Sequence, residues 1–364
     1  MKVKELVSEL ERFAPPCLQE SYDNAGLNVG FPDVDITGVL ICVDVIPEVV
    51  DEAIARNCNM IVSHHPLIFP NIKRIVGSNN VEKSIVKALQ NNISIFCGHT
   101  NFDKAQNGVS MKMCEKLGLK SCTVIDSEKH LLRKIAVYVP ISHAKAVRNA
   151  MFAAGAGTIG DYDECSFNIE GTGTFRASEN CNPYVGAIGE RHHENEVRIE
   201  VICPSYLQAK VVSAMLKVHP YEEPAFDIYQ LENQWNQVGL GAVGELDSEI
   251  TEAELLEKVK RTFNVENIRH SAKTGRKIRR IAVCGGSGAS YIRSAVAMNV
   301  DAYITADIKY HDWFLAEGKI LLLDIGHYES EQFTKEIFYD IISRNSNGIT
   351  VCFSDINTNP IKNY

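Results

Sequence analysis

Short apolar runs without polar alternation recur along this chain, separated by segments whose apolar residues follow helical spacing. In the N-terminal part, strands are predicted over residues 38–44, 60–63 and 93–97. Helices are predicted before and between them, over residues 3–13, 47–57 and 81–90. Strands buried on both faces lack alternation, and they are typical of parallel sheets that helices cover. The sequence therefore predicts an α/β protein.

The same rhythm returns near the C-terminus, where strands are predicted over residues 278–284, 302–305 and 320–323. In each half the third strand leads into a histidine that is followed four residues later by an acid. The pairs are His99 with Asp103 and His327 with Glu331. Open α/β sheets bind ligands at the carboxyl ends of their strands. We predict two pseudo-symmetric α/β halves that form one core, with a site between them.

The middle of the chain has a different pattern of predicted strands, helices and turns, and it is predicted to be a separate, inserted domain. Strands at 135–139 and 198–202 each precede a helix, at 142–154 and 206–218, and a last strand falls near 225–231. This order fits a ferredoxin-like α+β sandwich. The predicted domains are 1–130 (first half of the metal-binding core), 131–233 (insert) and 234–364 (second half of the core).

Composition and charge exclude several classes of protein. The 364 residues carry a formal net charge of −9, so no basic face is available to neutralise nucleic-acid phosphates. No apolar run approaches the ~20 residues that cross a bilayer, and the first residues do not resemble a signal peptide. The 11 cysteines are scattered and form no CxxC pair, as in a reduced protein. A cytoplasmic protein without nucleic-acid or membrane partners is expected.

Five residues have the chemistry of a metal site. His64 and His65 follow a predicted strand, and Pro66 disfavours helix at His65. An isolated histidine pair is more often a hydrogen-bonded loop feature. His327 and Glu331 share one face if the chain is helical there, and mixed imidazole and carboxylate ligands suit Zn²⁺, Mn²⁺ or Fe²⁺. The predicted metal ligands are His64, His65, Asp103, His327 and Glu331.

Other residues near the predicted strand ends leave two interpretations open. His99, Asp44 and His311 could coordinate a metal directly or orient a ligand. The turn at 285–288, GGSG, could cradle a phosphate or could be a tight turn that needs positive φ. In the insert, the segments GAGTIGDYDECSF (155–167) and HPYEEP (219–224) are either turns and subunit contacts or a second place for chemistry.

Several motifs together resemble a known family. They are YDNAGLNVG (22–30), SHHPLIF (63–69), GHTNFD (98–103), VCGGSG (283–288), TADIKYHD (305–312) and DIGHYESE (324–331). The chain resembles the interacting-factor-3-like dinuclear-metal proteins, which are often named GTP cyclohydrolase 1 type 2 homologues. Its insert is similar to the PII-like, cation-tolerance-like domain of the longer bacterial members. Ala306 stands where many members have glycine.

The resemblance implies ligands and an assembly. It implies two divalent ions per chain, with His64 and His327 on one, His65 and Asp103 on the other, and Glu331 bridging them. It also implies a homo-oligomer, a hexamer in family members.

The expected function is that of a metal-dependent hydrolase acting on a small molecule such as a nucleotide. Metal-activated water would attack it, as in opening the guanine imidazole ring of GTP, with His99 or His311 as catalytic proton carriers. The alternative is a metal-binding regulatory or scaffold oligomer whose insert senses a small molecule.

Overall fold

The structure is a computed structural model that describes residues 1–69, 72–345 and 348–362. It has two compact units: residues 1–127 with those from 236 onward form the first, and residues 128–235 form the second. The helices are α1 (Val3–Phe13), α2 (Pro47–Ala55), α3 (Asn80–Gln90), α4 (Thr100–Lys104), α5 (Val109–Leu117), α6 (Ala144–Ala153), α7 (Gln208–Val218), α8 (Glu252–Phe263), α9 (Ile292–Ala297), α10 (His327–Glu331) and α11 (Thr334–Asn345).

The strands of both units form three sheets. They are β1 (Gly26–Val29), β2 (Gly38–Cys42), β3 (Met60–Ser63), β4 (Ser94–Cys97), β5 (Lys120–Glu128), β6 (Leu132–Pro140), β7 (Phe167–Arg176), β8 (Arg191–Pro204), β9 (Phe226–Gln230), β10 (Trp235–Ile250), β11 (Arg269–His270), β12 (Ile278–Ser287), β13 (Ala302–Ala306), β14 (Leu321–Asp324) and β15 (Thr350–Phe353). No helix within the described ranges is both long and apolar enough to cross a membrane.

The first sheet of the first unit is a covered parallel sheet. Its strand order is β1-β4-β3-β2-β15, and only β1 pairs antiparallel with its neighbour. Neighbouring residues of a strand point to opposite faces: Leu40 packs against α2 and α3, whereas Ile41 packs against α1 and α11. Because both faces are covered, every residue of β2, β3 and β4 is buried. This burial explains the absence of polar alternation in the sequence.

The second sheet repeats that plan. Its strand order is β11-β14-β13-β12-β10-β5, with β12, β13 and β14 parallel and β11 antiparallel to β14. Ile304 packs in the layer of α5 and α8, and its neighbour Tyr303 packs in the layer of α9. Each half therefore has three consecutive parallel strands and an antiparallel strand beside the third. The predicted α/β fold with two similar halves is confirmed.

The second unit is a four-stranded antiparallel sheet with two helices on one face. Its strand order is β7-β8-β6-β9, and α6 and α7 pack on the face that carries Ile135 and Ile199. The sequence pattern does not predict β7, because nearly all of its residues are exposed. The elements follow one another as β-α-β-β-α-β. The assignment of this unit to the ferredoxin-like class stays a prediction.

Candidate metal centre

Three segments of the first unit bring histidines and carboxylates together at strand ends. His64 and His65 follow β3, Asp103 lies on α4 just after β4, and His327 and Glu331 begin and end α10 just after β14. Because β3 and β4 are parallel neighbours in one sheet and β14 is a parallel strand of the other, these side chains leave carboxyl ends of strands. The site therefore lies between the two similar halves, within one compact unit.

The two adjacent histidines are held by hydrogen bonds at their Nδ1 atoms. Nδ1 of His64 lies 2.8 Å from the carbonyl oxygen of Gly98, and Nδ1 of His65 lies 2.7 Å from Oδ1 of Asp44. Carbonyl and ionised carboxylate oxygens only accept hydrogen bonds, so each Nδ1 carries a proton and donates it. The neutral ring then presents a lone pair at Nε2, the arrangement that metal-binding histidines use.

His327 has the same arrangement. Its Nδ1 lies 2.7 Å from Oδ2 of Asp307, which leaves Nε2 as the free nitrogen of the neutral ring. Asp307 has a φ of +56°, a left-handed conformation that is uncommon outside glycine. Such conformations persist where surrounding contacts fix them, often at functional sites. The backbone beyond β13 is thus shaped to place a carboxylate behind His327.

The free Nε2 atoms converge on the carboxylate of Glu331 and form two groups. Oε2 of Glu331 lies 2.9 Å from Nε2 of His65 and 3.1 Å from Nε2 of His327, and these two nitrogens are 3.3 Å apart. Nε2 of His64 lies 3.5 Å from Oε1 of Glu331 and 3.8 Å from Oδ1 of Asp103. These distances favour one metal ion held by His65 and His327 and a second ion held by His64 and Asp103. The resemblance implies a different grouping, with His64 and His327 on one ion.

Several of these atoms are buried without a hydrogen bond. Nε2 of His64 and Oδ1 of Asp103 have no hydrogen-bond partner among the described residues, and neither has Oε2 of Glu331 when the facing rings of His65 and His327 are neutral. Glu331 is 3% exposed and His64 is fully buried. Leaving a buried polar atom unpaired costs about 1–3 kcal/mol. Divalent cations between these groups would satisfy all three atoms, so the donor set fits metal ions, and His64, His65 and Glu331 lie close enough together to hold one.

The pKa values reflect how strongly these groups interact in the metal-free protein. Burial alone would lower the pKa of His65, but contacts with Asp44 and Glu331 outweigh it and raise the pKa to about 10. The same balance, with Glu331 and Asp307 as partners, raises the pKa of His327 to about 9. Protons on these rings therefore balance the buried carboxylates, and a metal ion would displace them.

A cavity of about 400 Å³ opens over these atoms. Asp103, His65, His327 and Glu331 line it, and His64 does not. The other lining residues include several aromatic and polar side chains: Tyr22, Phe69, His99, Thr100, Ser287 and Tyr291. The cavity leaves room for water or a small molecule beside the candidate ligands.

His99 also faces this cavity, supported by a buried carboxylate. Its Nδ1 lies 2.7 Å from Oδ1 of Asp23, and Oδ2 of Asp23 accepts hydrogen bonds from the amide and the hydroxyl of Thr100. Burial opposes ionisation of Asp23, but the bonds from His99 and Thr100 outweigh it and lower the pKa to about 2. The His99 ring centre lies 5.4 Å from the ring centres of His64 and His65.

Comparison with known proteins places the chain in a family. The model of Duf34/NIF3 (NGG1p interacting factor 3) matches residues 1–360. The chain belongs to the Duf34/NIF3 family. The "GTP cyclohydrolase 1 type 2 homolog" of Bacillus subtilis (strain 168) is 34% identical over 365 residues, which cover 98% of this chain and 97% of that protein. The resemblance inferred from the motifs is confirmed.

Solved structures extend the comparison to the whole fold of this Duf34/NIF3 chain. A Bacillus cereus protein related to NIF3 is 36% identical, with a TM-score of 0.89, over 100% of this chain and 99% of that one. A Staphylococcus aureus protein is 31% identical, with a TM-score of 0.78, over the same shares. The arrangement of both units' elements is therefore shared with family members.

The glycine turn of this Duf34/NIF3 chain packs against the candidate bridging residue. Gly286 has a φ of +61°, and a Cβ there would lie 2.2 Å from Oε1 of Glu331. The Gly286 amide donates to Oγ of Ser330 (2.9 Å), and the Gly288 amide donates to Oγ1 of Thr305 (3.0 Å). Because these amides are already bonded, the structure favours the tight-turn interpretation of this segment over a phosphate cradle.

His311 lies apart from the residues described above. It belongs to a 3-10 helix, Tyr310–Ala316, is exposed, and has ring contacts with Tyr310 and Phe314. It is absent from the described residues that line the cavity. The helix after β13 turns this side chain outward, so the structure does not bring His311 to the site as it does His99.

Two carboxylates that support histidines of the Duf34/NIF3 site are not predicted from the sequence. Asp23 and Asp307 hold His99 and His327 through Nδ1, whereas Asp44, which the sequence does predict near the site, holds His65. Asp23 lies 76 residues from its histidine, a separation that no local pattern reveals. Both missed residues nevertheless stand inside quoted motifs, so acids within those motifs were the available signal.

Proposed function

We propose that this protein is a hydrolase that depends on two divalent metal ions. The observation that carries the proposal is the convergence of imidazole and carboxylate atoms, some buried without hydrogen bonds, beside a cavity of about 400 Å³. One ion would be held by His65, His327 and Oε2 of Glu331, and the other by His64, Asp103 and Oε1 of Glu331. The donor set suits Zn²⁺, Mn²⁺ or Fe²⁺.

The chain's own residues would prepare the site for the reaction. Bound divalent ions would lower the pKa of water and polarise the electrophile of the substrate. Asp44 and Asp307 fix the orientation of His65 and His327, so that Nε2 of each stays directed at the site. Asp23 holds His99 in the same manner, which leaves Nε2 of His99 as the atom that would carry a proton to or from the substrate.

The cavity lining narrows the class of substrate. Two exposed aromatic residues line it: the rings of Tyr22 and Phe69 are 6.4 Å apart at a steep angle, and both side chains are at least half exposed. No lysine or arginine occurs among the described lining residues. We infer that a flat, weakly charged group enters the cavity. If GTP is the substrate, its guanine ring would enter and its triphosphate would remain outside.

The alternative function is a regulatory or scaffold protein with a structural metal site. Structural sites are usually closed by protein ligands, whereas catalytic sites keep a position open for water or substrate. The cavity beside His65, His327 and Glu331 favours the catalytic function.

A turnover screen of metal-analysed protein tests the proposal. The substrates are GTP, other nucleotides, phosphoesters and small cyclic amides, with Glu331→Gln as the test variant. Glu329→Gln is the matched control, because Glu329 lies two residues away on α10 and bonds to Asn359 instead. We expect turnover by the wild type and the control and a loss of at least ~100-fold in Glu331→Gln. Fully loaded protein that converts none of these substrates would favour the scaffold.

A further inference from the structure

The second unit has a cavity of its own, unrelated to the metal chemistry. Its volume is about 470 Å³, within the range of small-molecule sites. It is lined by residues of β6, β7 and β8 and by the two segments that follow β7 and α7. The second of these segments contains part of the HPYEEP motif, whose role the sequence left open between turns and chemistry.

Aromatic rings form a connected wall around this cavity. The ring of Tyr221 lies 5.9 Å from that of Phe175 and 6.4 Å from that of Tyr184, and Tyr138 also lines the space. Tyr184 is 53% exposed although it packs against another ring. Large aromatic side chains that stay exposed around a concave space are typical of ligand sites.

Carboxylates outnumber cations among the described lining residues. Glu196, Glu222 and Glu223 line the cavity, against the single guanidinium of Arg176. Glu196 lies over Gly173, where a Cβ would stand 2.1 Å from its Oε2, so the glycine leaves space for this carboxylate.

Two of these carboxylates are held in place by the walls of the cavity. Oε1 of Glu196 accepts a hydrogen bond of 2.9 Å from the Tyr221 hydroxyl. Oε2 of Glu222 accepts one of 2.9 Å from the Asn182 amide. Among the described residues, the other oxygen of each carboxylate has no hydrogen bond to the wall.

We propose that this cavity binds an organic cation, a molecule with an ammonium or amidinium group on a flat or apolar body. Aromatic faces attract cations through their quadrupoles, and a fixed carboxylate can pair with the same charge. An anion would meet three carboxylates, and a neutral ligand would gain nothing from their negative charge. The proposal is independent of the metal centre, because every residue it uses belongs to the second unit.

The test compares three probes of one shape and different charge on the full-length protein. Benzamidine is a cation, benzamide is neutral and benzoate is an anion, and ligand-observed NMR measures the Kd of each. We expect benzamidine to bind at least about tenfold more tightly than benzamide and benzoate. Absence of benzamidine binding at ~10 mM, or equal affinities for the three probes, would overturn the proposal.

Matched variants locate the binding site. Glu196→Gln should weaken benzamidine binding about tenfold, whereas Glu194→Gln should change it less than twofold. Glu194 is on the same strand but pairs with His192 and does not line the cavity. Tyr184→Ala should also weaken binding, with Tyr162→Ala, which changes an exposed tyrosine outside the cavity, as its control. Binding that survives both cavity substitutions, or that Glu331→Ala abolishes, would contradict the proposal.

Discussion

The cavities of the two units differ in how their polar groups are satisfied. Beside the first, Nε2 of His64 and Oδ1 of Asp103 are buried and have no hydrogen bond among the described residues, and Oε2 of Glu331 has none when the facing histidine rings are neutral. In the second, Glu196 and Glu222 are bonded to groups of the cavity wall. Unpaired buried polar atoms are costly until a partner such as a metal ion satisfies them, whereas carboxylates that are already hydrogen-bonded carry no such cost in the empty cavity. We therefore expect the first cavity to hold a resident ion and the second an exchanging ligand.

Removing the second unit should abolish ligand binding in its cavity and leave metal binding by the first unit unchanged. The chain leaves and re-enters the first unit at adjacent points, because Gly239 lies against the backbone of Asp126. Joining Glu128 to Gln234 through a short Gly/Ser linker should give a folded protein that keeps its metal and loses benzamidine binding. Elemental analysis and NMR measure the two properties. A metal-free product, or one that still binds benzamidine, would show that the cavities are not independent.

Paired substitutions sharpen the grouping of the metal ligands. If His64 and Asp103 hold one ion, His64→Ala, Asp103→Ala and the double variant should each lose the same single ion per chain. His64→Ala combined with His65→Ala should lose both ions. Elemental analysis of purified protein gives the stoichiometry. The family resemblance implies instead that His64 and Asp103 hold different ions. On that grouping, the double variant would lose two ions per chain.

Two glycine-to-alanine substitutions test whether the turn at residues 285–288 holds Glu331 in position. Gly286→Ala and Gly275→Ala both place a side chain at positive φ, but nothing lies within 4 Å of a Cβ at Gly275. Gly275→Ala should cost about 1–2 kcal/mol in the free energy of unfolding of the metal-free protein, and Gly286→Ala should cost more, because its Cβ would also stand 2.2 Å from Oε1 of Glu331. Only Gly286→Ala should also weaken metal binding, by about 10–100-fold. Equal metal affinities in the two variants would show that the turn does not support metal binding by Glu331.

The smallest effect expected is on the pH dependence of stability without metal. The folded-state pKa of His65, about 10, lies above its ordinary value of 6.5. The stability that the charged His65 ring contributes to the folded state is therefore fully present below about pH 6.5 and is lost as pH rises through about 10. The melting temperature of metal-free protein should fall by a few degrees over this window, and the fall should shrink in His65→Gln. An identical slope in that variant would show that His65 is not charged when metal is absent.

The sequence predicted the parts of the fold that depend on local pattern. The strand at 60–63 and the helix at 3–13 have the predicted bounds, because burial sets the apolar residues of both. By contrast, β7 is almost wholly exposed and β10 contains many polar residues and glycines, so neither has a clear period. The sequence between the predicted strands at 278–284 and 302–305 also predicts a helix, over residues 289–298. This segment begins as a 3-10 turn, Ala289–Tyr291, and is α-helical only over Ile292–Ala297.

The residues of the candidate site also differ in whether a local sequence pattern reveals them. The residues at strand ends could be identified because a strand followed by a histidine and an acid is a local pattern. The hydrogen bonds of Asp23 to His99 and Asp307 to His327 depend on tertiary placement and are not visible in the sequence. The exposed position of His311 depends on a 3-10 helix that apolar periodicity does not predict.

Anomalous diffraction from crystals of metal-loaded protein tests the central claim most directly. Data collected at the absorption edge of the bound metal locate each ion without reference to activity. We expect two peaks per chain, ~3.5–4 Å apart, one beside His65 and His327, the other beside His64 and Asp103, with Glu331 between them. A single peak, or peaks away from these residues in fully loaded crystals, would contradict the two-metal account.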